Sequence, residues 1–331
     1  MNDQNKNVKP IRWGIIGCGD VTEVKSGPAY NLVEGFELSA VMRRNTDKLK
    51  SYAARHNISK YYNDANDIIN DPEIDAIYIA TPPDSHKYYA LKVALAEKPC
   101  CIEKPLSPSY SDSLIIHEAF KEKNIPLFVA YYRRSLPRFE QIATWLKNNK
   151  IGEIRHINWQ LHRKPKDIDL SGEYNWRTDP TIAPGGYFDD LASHGLDLFT
   201  QLLGNIEIAS GFNSNQQNLY KSPDAICASW LHKNGITGTG VWNFGSSKYE
   251  DSVTINGSKG DVSFSIFQDN PIVLSSNGDS ESIFIENPKH IQFNHIHNMQ
   301  KGLSDKNYKH PSTGTTALHT SWIMDKILGE L

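Results

Sequence analysis

The apolar positions of this chain change rhythm part-way along it. Through the first 130 residues, short solid apolar runs alternate with stretches whose apolar residues recur at helical spacing. The runs Ile11–Ile16, Phe36–Met42, Ile74–Ala80, Pro99–Ile102 and Pro126–Tyr131 read as buried strands. Between them, a helix follows the glycines at 17 and 19, and Thr46–His56 sets Leu49, Tyr52 and Ala53 on one face with Thr46 as N-cap. Asn63–Asn70, Ser85–Lys98 and Tyr110–Lys123 are the other helices. Strands separated by helices require right-handed crossovers and a parallel sheet. Ligands of such sheets bind beyond the carboxyl ends of the strands, where Gly17, Arg43, Thr81, Glu103 and Tyr131 fall.

After about residue 150 the rhythm becomes that of strands joined by turns: Ile154–Leu161, Ile206–Phe212, Ala225–His232, Ile236–Phe244, Ser252–Asn256 and Asp261–Ile266. Asn256-Gly257-Ser258-Lys259-Gly260 and Ser276-Asn277-Gly278 are turn sequences. One helix, Asp189–Leu203, interrupts the strands and another, Thr313–Leu328, closes the chain. The expected class is α/β, with a parallel-sheet domain over residues 1–130. An α+β domain with an open, mainly antiparallel sheet follows over residues 131–331.

Composition narrows this little. With 331 residues, 39% hydrophobic and 22% charged, two cores are within reach. The net charge of −3 leaves no basic footprint for nucleic acid. Met1–Pro10 lacks the apolar core of a signal peptide, and no run nears the ~20 apolar residues of a membrane span. Cys18, Cys100, Cys101 and Cys227 have no metal-site or disulfide spacing, so a reduced, cytoplasmic protein is expected.

The chemistry begins at Gly17-Cys18-Gly19, where a strand feeds a helix. Unpaired backbone N–H groups at such a turn suit a pyrophosphate, although Thr22 stands where the third glycine of the dinucleotide fingerprint belongs. Alone, the turn also describes an ordinary strand–turn–helix. About 20 residues on, Arg43 and Arg44 occupy the place where a carboxylate would hold the ribose of NAD, which favours NADP with NAD as the alternative. Thr81-Pro82-Pro83 makes a rigid, donor-poor strand end, and Glu103-Lys104-Pro105 puts a lysine at the sheet edge. His86 reads as structural. In the second half, Asp190, His194 and Asp197 share a helix face at i, i+4 and i+7, an arrangement suited to an oriented acid/base. A capped helix with one satisfied histidine fits the same spacing. His295-Ile-His297, read as strand or loop, has no partners that would make it a metal site, and none is expected elsewhere.

Taken in order, the glycine turn, Ile79-Ala-Thr-Pro82, Glu103-Lys104-Pro105, Trp176-Arg177, Gly185-Gly186…Asp190-x-x-x-His194-x-x-Asp197 and Pro311-Ser-Thr-Gly314 resemble the glucose–fructose oxidoreductase/inositol dehydrogenase/MocA family from about Arg12 to Leu328. The resemblance implies a Rossmann NAD(P)-binding domain and a C-terminal substrate-binding and oligomerisation domain. It also implies hydride transfer between a nicotinamide and a secondary alcohol or ketone of a sugar, polyol or derivative. Lys104 and His194 would be the catalytic pair, supported by Asp190. Gly17, Cys18, Gly19, Asp20, Val21, Arg43, Arg44, Asn45, Lys48, Ala80, Thr81, Pro82, Pro83, Glu103, Lys104, Trp176 and Arg177 would line the cofactor. Lys104, Tyr131, Tyr132, Asp190 and His194 would face the substrate. Thr22 and the Tyr131-Tyr132 pair, where members often carry asparagine, depart from the family pattern.

Two rival functions use the same frame: a glycosidase working through transient oxidation and elimination, and a non-catalytic dinucleotide-binding regulator. The joint presence of Lys104, Asp190 and His194 speaks against the regulator, since a binder needs no acid/base. A homodimer or homotetramer is expected, because Trp230, Leu231, Trp242 and Phe244 put more apolar surface on the second sheet than one helix layer would cover.

Overall fold

The computed structural model describes residues 9–331; most of the polar leader Met1–Pro10 lies outside them. Six parallel strands form the first sheet: β1 (Ile11–Ile16), β2 (Phe36–Met42), β3 (Lys60–Tyr62), β4 (Ala76–Ile79), β5 (Cys100–Ile102) and β6 (Leu127–Val129), in the order β3-β2-β1-β4-β5-β6. β4, β5 and β6 are buried at every position, which is why they appear in the sequence as solid rather than alternating apolar runs. The order reverses at β1, so the crevice between β1 and β4 is the place where such a sheet receives a ligand.

Eight strands form the second sheet: β7 (Ile154–His162), β8 (Ile206–Ser214), β9 (Ala225–His232), β10 (Thr237–Asn243), β11 (Glu250–Gly257), β12 (Gly260–Phe264), β13 (Ile272–Ser276) and β14 (Asp279–Ile283). Their order is β14-β13-β12-β11-β7-β10-β9-β8, antiparallel except where β7 pairs with β10. One face carries Trp159, Trp230, Trp242, Val253 and Ile255 against the Tyr187–Leu203 helix. Gly195 lets that helix lie flush on the sheet, because a Cβ there would stand 2.4 Å from the Trp159 ring. This contact fixes the height of the neighbouring His194. The helix Gly314–Leu328 packs alongside.

The structure corrects several expectations. Trp230, Trp242 and Phe244 are core residues, no more than 3% exposed, so they offer no surface to a partner. The apolar groups exposed on the open sheet are Ile208, Phe212 and Val241, set among threonine, asparagine, glutamine and histidine. Asn45, rather than Thr46, caps the third helix by accepting from the Lys48 backbone N–H. Strands β3, β13 and β14 and the helices Pro137–Lys147 and Phe293–Ser304 were not anticipated.

Late residues complete the early cores. Ile296 and Met299 pack with Trp13, Ile15 and Tyr30, and Ala317 packs with Ile102 and Ile116. The free edge of β6 is closed by Ser312, whose Oγ donates to the Val129 carbonyl at 2.7 Å, and by a bridge between Phe128 and Thr313. Among the described residues no helix is long and apolar enough to cross a membrane.

Candidate functional site

The first part of the site is built at the carboxyl ends of β1, β2 and β4. Gly17 adopts φ +91°, and a Cβ there would meet the Thr81 methyl at 2.6 Å. Only glycine therefore lets the two strand ends close together. The following helix, Asp20–Val24, is a short one of five residues with Gly19 as its N-cap and no side chain capping it. Its first N–H groups have no partner inside the helix. Thr22 is accommodated: its side chain is buried, and its hydroxyl donates to the Gly19 carbonyl at 2.8 Å.

A cavity of about 500 Å³ opens here, lined by Gly17, Cys18, Gly19, Arg43, Arg44, Asn45, Ala80, Thr81 and Pro82. Arg43 reaches across it, donating from Nη1 to the Cys18 carbonyl at 2.9 Å. Asp84, Ser85 and Tyr89 complete the wall and had not been anticipated. Ser85 Oγ donates to Thr81 Oγ1 at 2.7 Å, so the Pro83–Ser85 turn carries the strand end into the lining. Asp20, Val21, Lys48 and Pro83 do not line this cavity; the Lys48 backbone serves the Asn45 cap instead. Burial raises the Cys18 thiol to about 11, which leaves it unreactive at neutral pH.

The second part of the site joins the two sheets. Lys104, just beyond β5, extends Nζ to within 2.6 Å of both Asp190 Oδ1 and the Asp190 carbonyl oxygen. Arg177 Nε donates to Asp190 Oδ2 at 2.9 Å, while its guanidinium lies 4.3 Å from the Trp176 ring centre. Burial alone would raise the Asp190 pKa, but the two cations prevail and hold the carboxylate far below its ordinary range. Both Asp190 oxygens are thus engaged by cations, and the carboxylate does not orient His194 as the helical spacing had implied.

His194 lies in an aromatic cage. The rings of Tyr132, Phe267 and Tyr131 stand 5.5, 5.9 and 6.2 Å from it, centre to centre, and Nδ1 has no hydrogen-bond partner. Burial, reinforced by the charges of Arg133, Lys104 and Lys25, pushes its pKa well below the ordinary 6.5. The imidazole is therefore neutral at pH 7 and able to accept a proton. Phe267, in the segment after β12, was not foreseen; no periodic pattern marks it.

Several residues singled out from the sequence do structural work. Glu103 is buried and accepts from Tyr78 Oη at 2.5 Å and Gln292 Nε2 at 2.7 Å. Asp197 forms a two-pronged pair with Arg134 at 2.6 and 2.9 Å and lies away from the cavity. His86 binds the Thr81 carbonyl through Nε2 at 2.8 Å, as a structural histidine should. His295 and His297 lie on a helix, not a strand, and His295 Nε2 faces Cys101 Sγ at 3.8 Å. Among the described residues no cluster of three metal-ligating side chains occurs.

The donor set of the first cavity fits a dinucleotide: a glycine cradle that a Cβ would fill, free helix N–H groups and two arginines at the β2 end. Comparison with known proteins agrees. Residues 11–131 match the oxidoreductase family with an NAD-binding Rossmann fold, and residues 139–263 match the GFO/IDH/MocA C-terminal domain. Oxidoreductase P35 of Formosa agariphila is 41% identical over 284 residues, covering 85% of this chain and 87% of that protein. Levoglucosan dehydrogenase of Pseudarthrobacter phenanthrenivorans is 25% identical over 240 residues, 72% of this chain and 58% of its own. Among solved structures, levoglucosan dehydrogenase in complex with NADH and levoglucosan superimposes with a TM-score of 0.86 at 20% identity, over 97% of each chain. Matched in both halves and closely similar to a relative over most of its length, the chain belongs to the GFO/IDH/MocA family of oxidoreductases.

Proposed function

We propose that the chain is an NADP-dependent dehydrogenase or reductase. It would act on a secondary carbon of a sugar, polyol or derivative, as the names of its levoglucosan and myo-inositol dehydrogenase relatives suggest. The observation that carries this reading is the contact of Lys104, from the edge of the first sheet, with Asp190, on the helix that also carries His194 one turn on. When bound, the nicotinamide supplies the hydride acceptor or donor. The chain's residues would handle the proton and the oxygen. Lys104 has three N–H donors, and Asp190 takes two of them, leaving one for the substrate oxygen. That donor would stabilise alkoxide character as the hydroxyl proton leaves. The neutral His194 would accept this proton in oxidation and return it in reduction. Asp190 and Arg177 would hold the ammonium in place rather than exchange protons.

The preference for NADP rests on Arg43 and Arg44 in the cavity wall where a ribose-binding carboxylate would stand. Nicotinamide absorbance followed over a panel of sugars, polyols and glycosides, with each cofactor, tests the whole reading. A net change supports the dehydrogenase, and turnover without one would support elimination instead. Assembly into a homodimer or homotetramer would use the open sheet around Ile208, Phe212 and Val241, and light scattering at micromolar concentration decides it. The four free cysteines suit a reducing, cytoplasmic setting.

A further inference from the structure

The chain that runs from β7 to the Tyr187–Leu203 helix is pinned around a loose middle. Asp169 is buried, its Oδ1 accepting from Asn175 Nδ2 at 3.1 Å and its Oδ2 from Tyr187 Oη at 2.7 Å. Further on, Ser222 Oγ lies 3.2 Å from the Thr178 carbonyl oxygen and donates to that of Ala183 at 3.0 Å. Between Asp169 and Asn175, residues 170–174 form a flap that little holds. Gly172 turns it at φ +72°, with nothing within 4 Å of the place a Cβ would take. Ser171 Oγ and the Glu173 N–H make only local bonds, to the Ile168 carbonyl and to Ser171 Oγ. Tyr174 Oη donates to Asp179 Oδ2 at 3.3 Å, long for a hydroxyl donor and exposed to water. Leu170 is 60% exposed and Tyr174 71%, large apolar side chains without cover.

The flap hangs beside the crevice of the first sheet. Arg177, just past Asn175, is bonded to the Asp190 carboxylate that also takes Lys104 from the end of β5. Tyr174 reaches toward the end of β4. Partial desolvation, Asp179 and then Asp84 raise its hydroxyl pKa above the ordinary value, so the Asp84 charge lies within reach of that hydroxyl. Asp84 stands in the wall of the cavity of about 500 Å³ that Arg43 and Arg44 also line. A further cavity of about 390 Å³, lined by Gly172, Tyr174, Pro180 and Tyr220, leaves the flap room to move.

We propose that residues 170–174 close over the adenosine half of the bound dinucleotide, with the Tyr174 ring laid on the adenine, and that the Tyr174–Asp179 hydrogen bond tethers the open position. This rests on the reading of the first cavity as a dinucleotide site and is independent of the sugar substrate. The exchange favours closure: water replaces an exposed hydrogen bond at little cost, while the ring gains an apolar face to cover it. An aromatic side chain stacked on a base is worth roughly tenfold in affinity. A flap that must open before the cofactor leaves puts that gain into the dissociation rate.

Stopped-flow displacement from the full chain tests it. NADPH and, in parallel, NADH are bound and chased with excess oxidised cofactor, and the loss of reduced-nicotinamide fluorescence gives the dissociation rate. Tyr174→Ala should release the cofactor roughly tenfold faster, with association little changed. Tyr174→Phe keeps the ring and loses the tether, so it should release the cofactor no faster than the parent chain. The parent's rate in Tyr174→Ala, or a Tyr174→Phe rate as fast as that of Tyr174→Ala, overturns the proposal. A second measurement needs no variant: amide hydrogen exchange in residues 170–174 should slow when the tighter of the two cofactors saturates the chain. Exchange unchanged by bound cofactor overturns the proposal while the dinucleotide reading stands. If only NADH binds, the NADP preference fails and the flap is decided on NADH; if neither binds, the dinucleotide reading and the flap fall together.

Discussion

Two carboxylates on one helix face, seven residues apart, sit in different surroundings. Asp190, the shallower, is one-fifth exposed and holds Lys104 and Arg177. Asp197, two turns deeper, is fully buried and holds Arg134, with Thr320 donating to it at 3.0 Å. Both are ion pairs, yet Lys104 spends two of its three N–H donors, both on Asp190, whereas Arg134 binds Asp197, Thr200 and the Pro311 carbonyl. If the shallower pair serves the proposed chemistry, what separates it from the deeper one is depth along the helix and one unspent hydrogen bond, not residue type. Asp189 supplies a third case: it is buried, accepts from the Gly185 N–H at 2.7 Å, and has no ion pair among the described residues.

The comparison is broken most strongly at the shallower pair and the histidine beside it. His194→Ala and Lys104→Ala should each lower kcat by about 10²–10⁴-fold while the thermal midpoint moves little. Unchanged kcat in either variant would remove that residue from the chemistry. Because the His194 pKa lies well below 6.5, the acid limb of kcat for alcohol oxidation should also fall below pH 6.5. An acid limb at or above 6.5 would mean another group accepts the proton.

At the deeper pair the readout is stability. Asp197→Ala leaves Arg134 charged and buried and should cost about 3–5 kcal/mol in chemical denaturation. A loss within the range of an exposed pair, about 0–1 kcal/mol, would refute the scaffold role.

Asp189 sharpens the contrast through pH. Burial, the largest influence, raises its pKa to about 7. The unfolded value is about 3.9, so the folded chain holds the extra proton between roughly pH 4 and 7. Stability from this group is complete below pH ~4 and lost as pH rises to ~7, by at most about 4 kcal/mol. Asp189→Asn should flatten that slope in denaturation measured across the range, and a slope identical to that of the parent would show that Asp189 does not set it.

The smallest effect concerns the cofactor. Arg43→Asp should weaken NADP by about tenfold or more and improve NAD in relative terms, read as dissociation constants by fluorescence titration. Equal wild-type affinities for the two cofactors would defeat the assignment.

The sequence carried the outline of this site because its parts sit at punctuated places: glycines ending β1, prolines after β4, and Lys104 one residue from a proline at the end of β5. The 3.6-residue period also placed Asp190, His194 and Asp197 on one face correctly. It could not tell which of them faces a cavity, since Arg134 meets Asp197 across 63 residues and Phe267 reaches His194 from an aperiodic segment. The same limit explains the unforeseen elements. β14 reads Asp-Ser-Glu-Ser-Ile and is mostly exposed at a sheet edge, and Phe293–Ser304 shows only a few apolar positions among polar ones. Trp230, Trp242 and Phe244 were misplaced onto a surface for a related reason: strand alternation reveals two faces but not which one the long helix covers.

The closure of β6 by Ser312 and Thr313, together with the packing of Ile296 and Met299 on Trp13, bears on how the chain is made. A ribosome delivers the six parallel strands long before the residues that cover their edge and finish their core. At roughly 5–20 residues per second the interval is on the order of ten seconds or more. During it, the nascent first domain presents an uncovered strand edge and an unfilled apolar pocket. A message truncated before residue 290 should yield a product that chaperones retain, however complete its glycine turn.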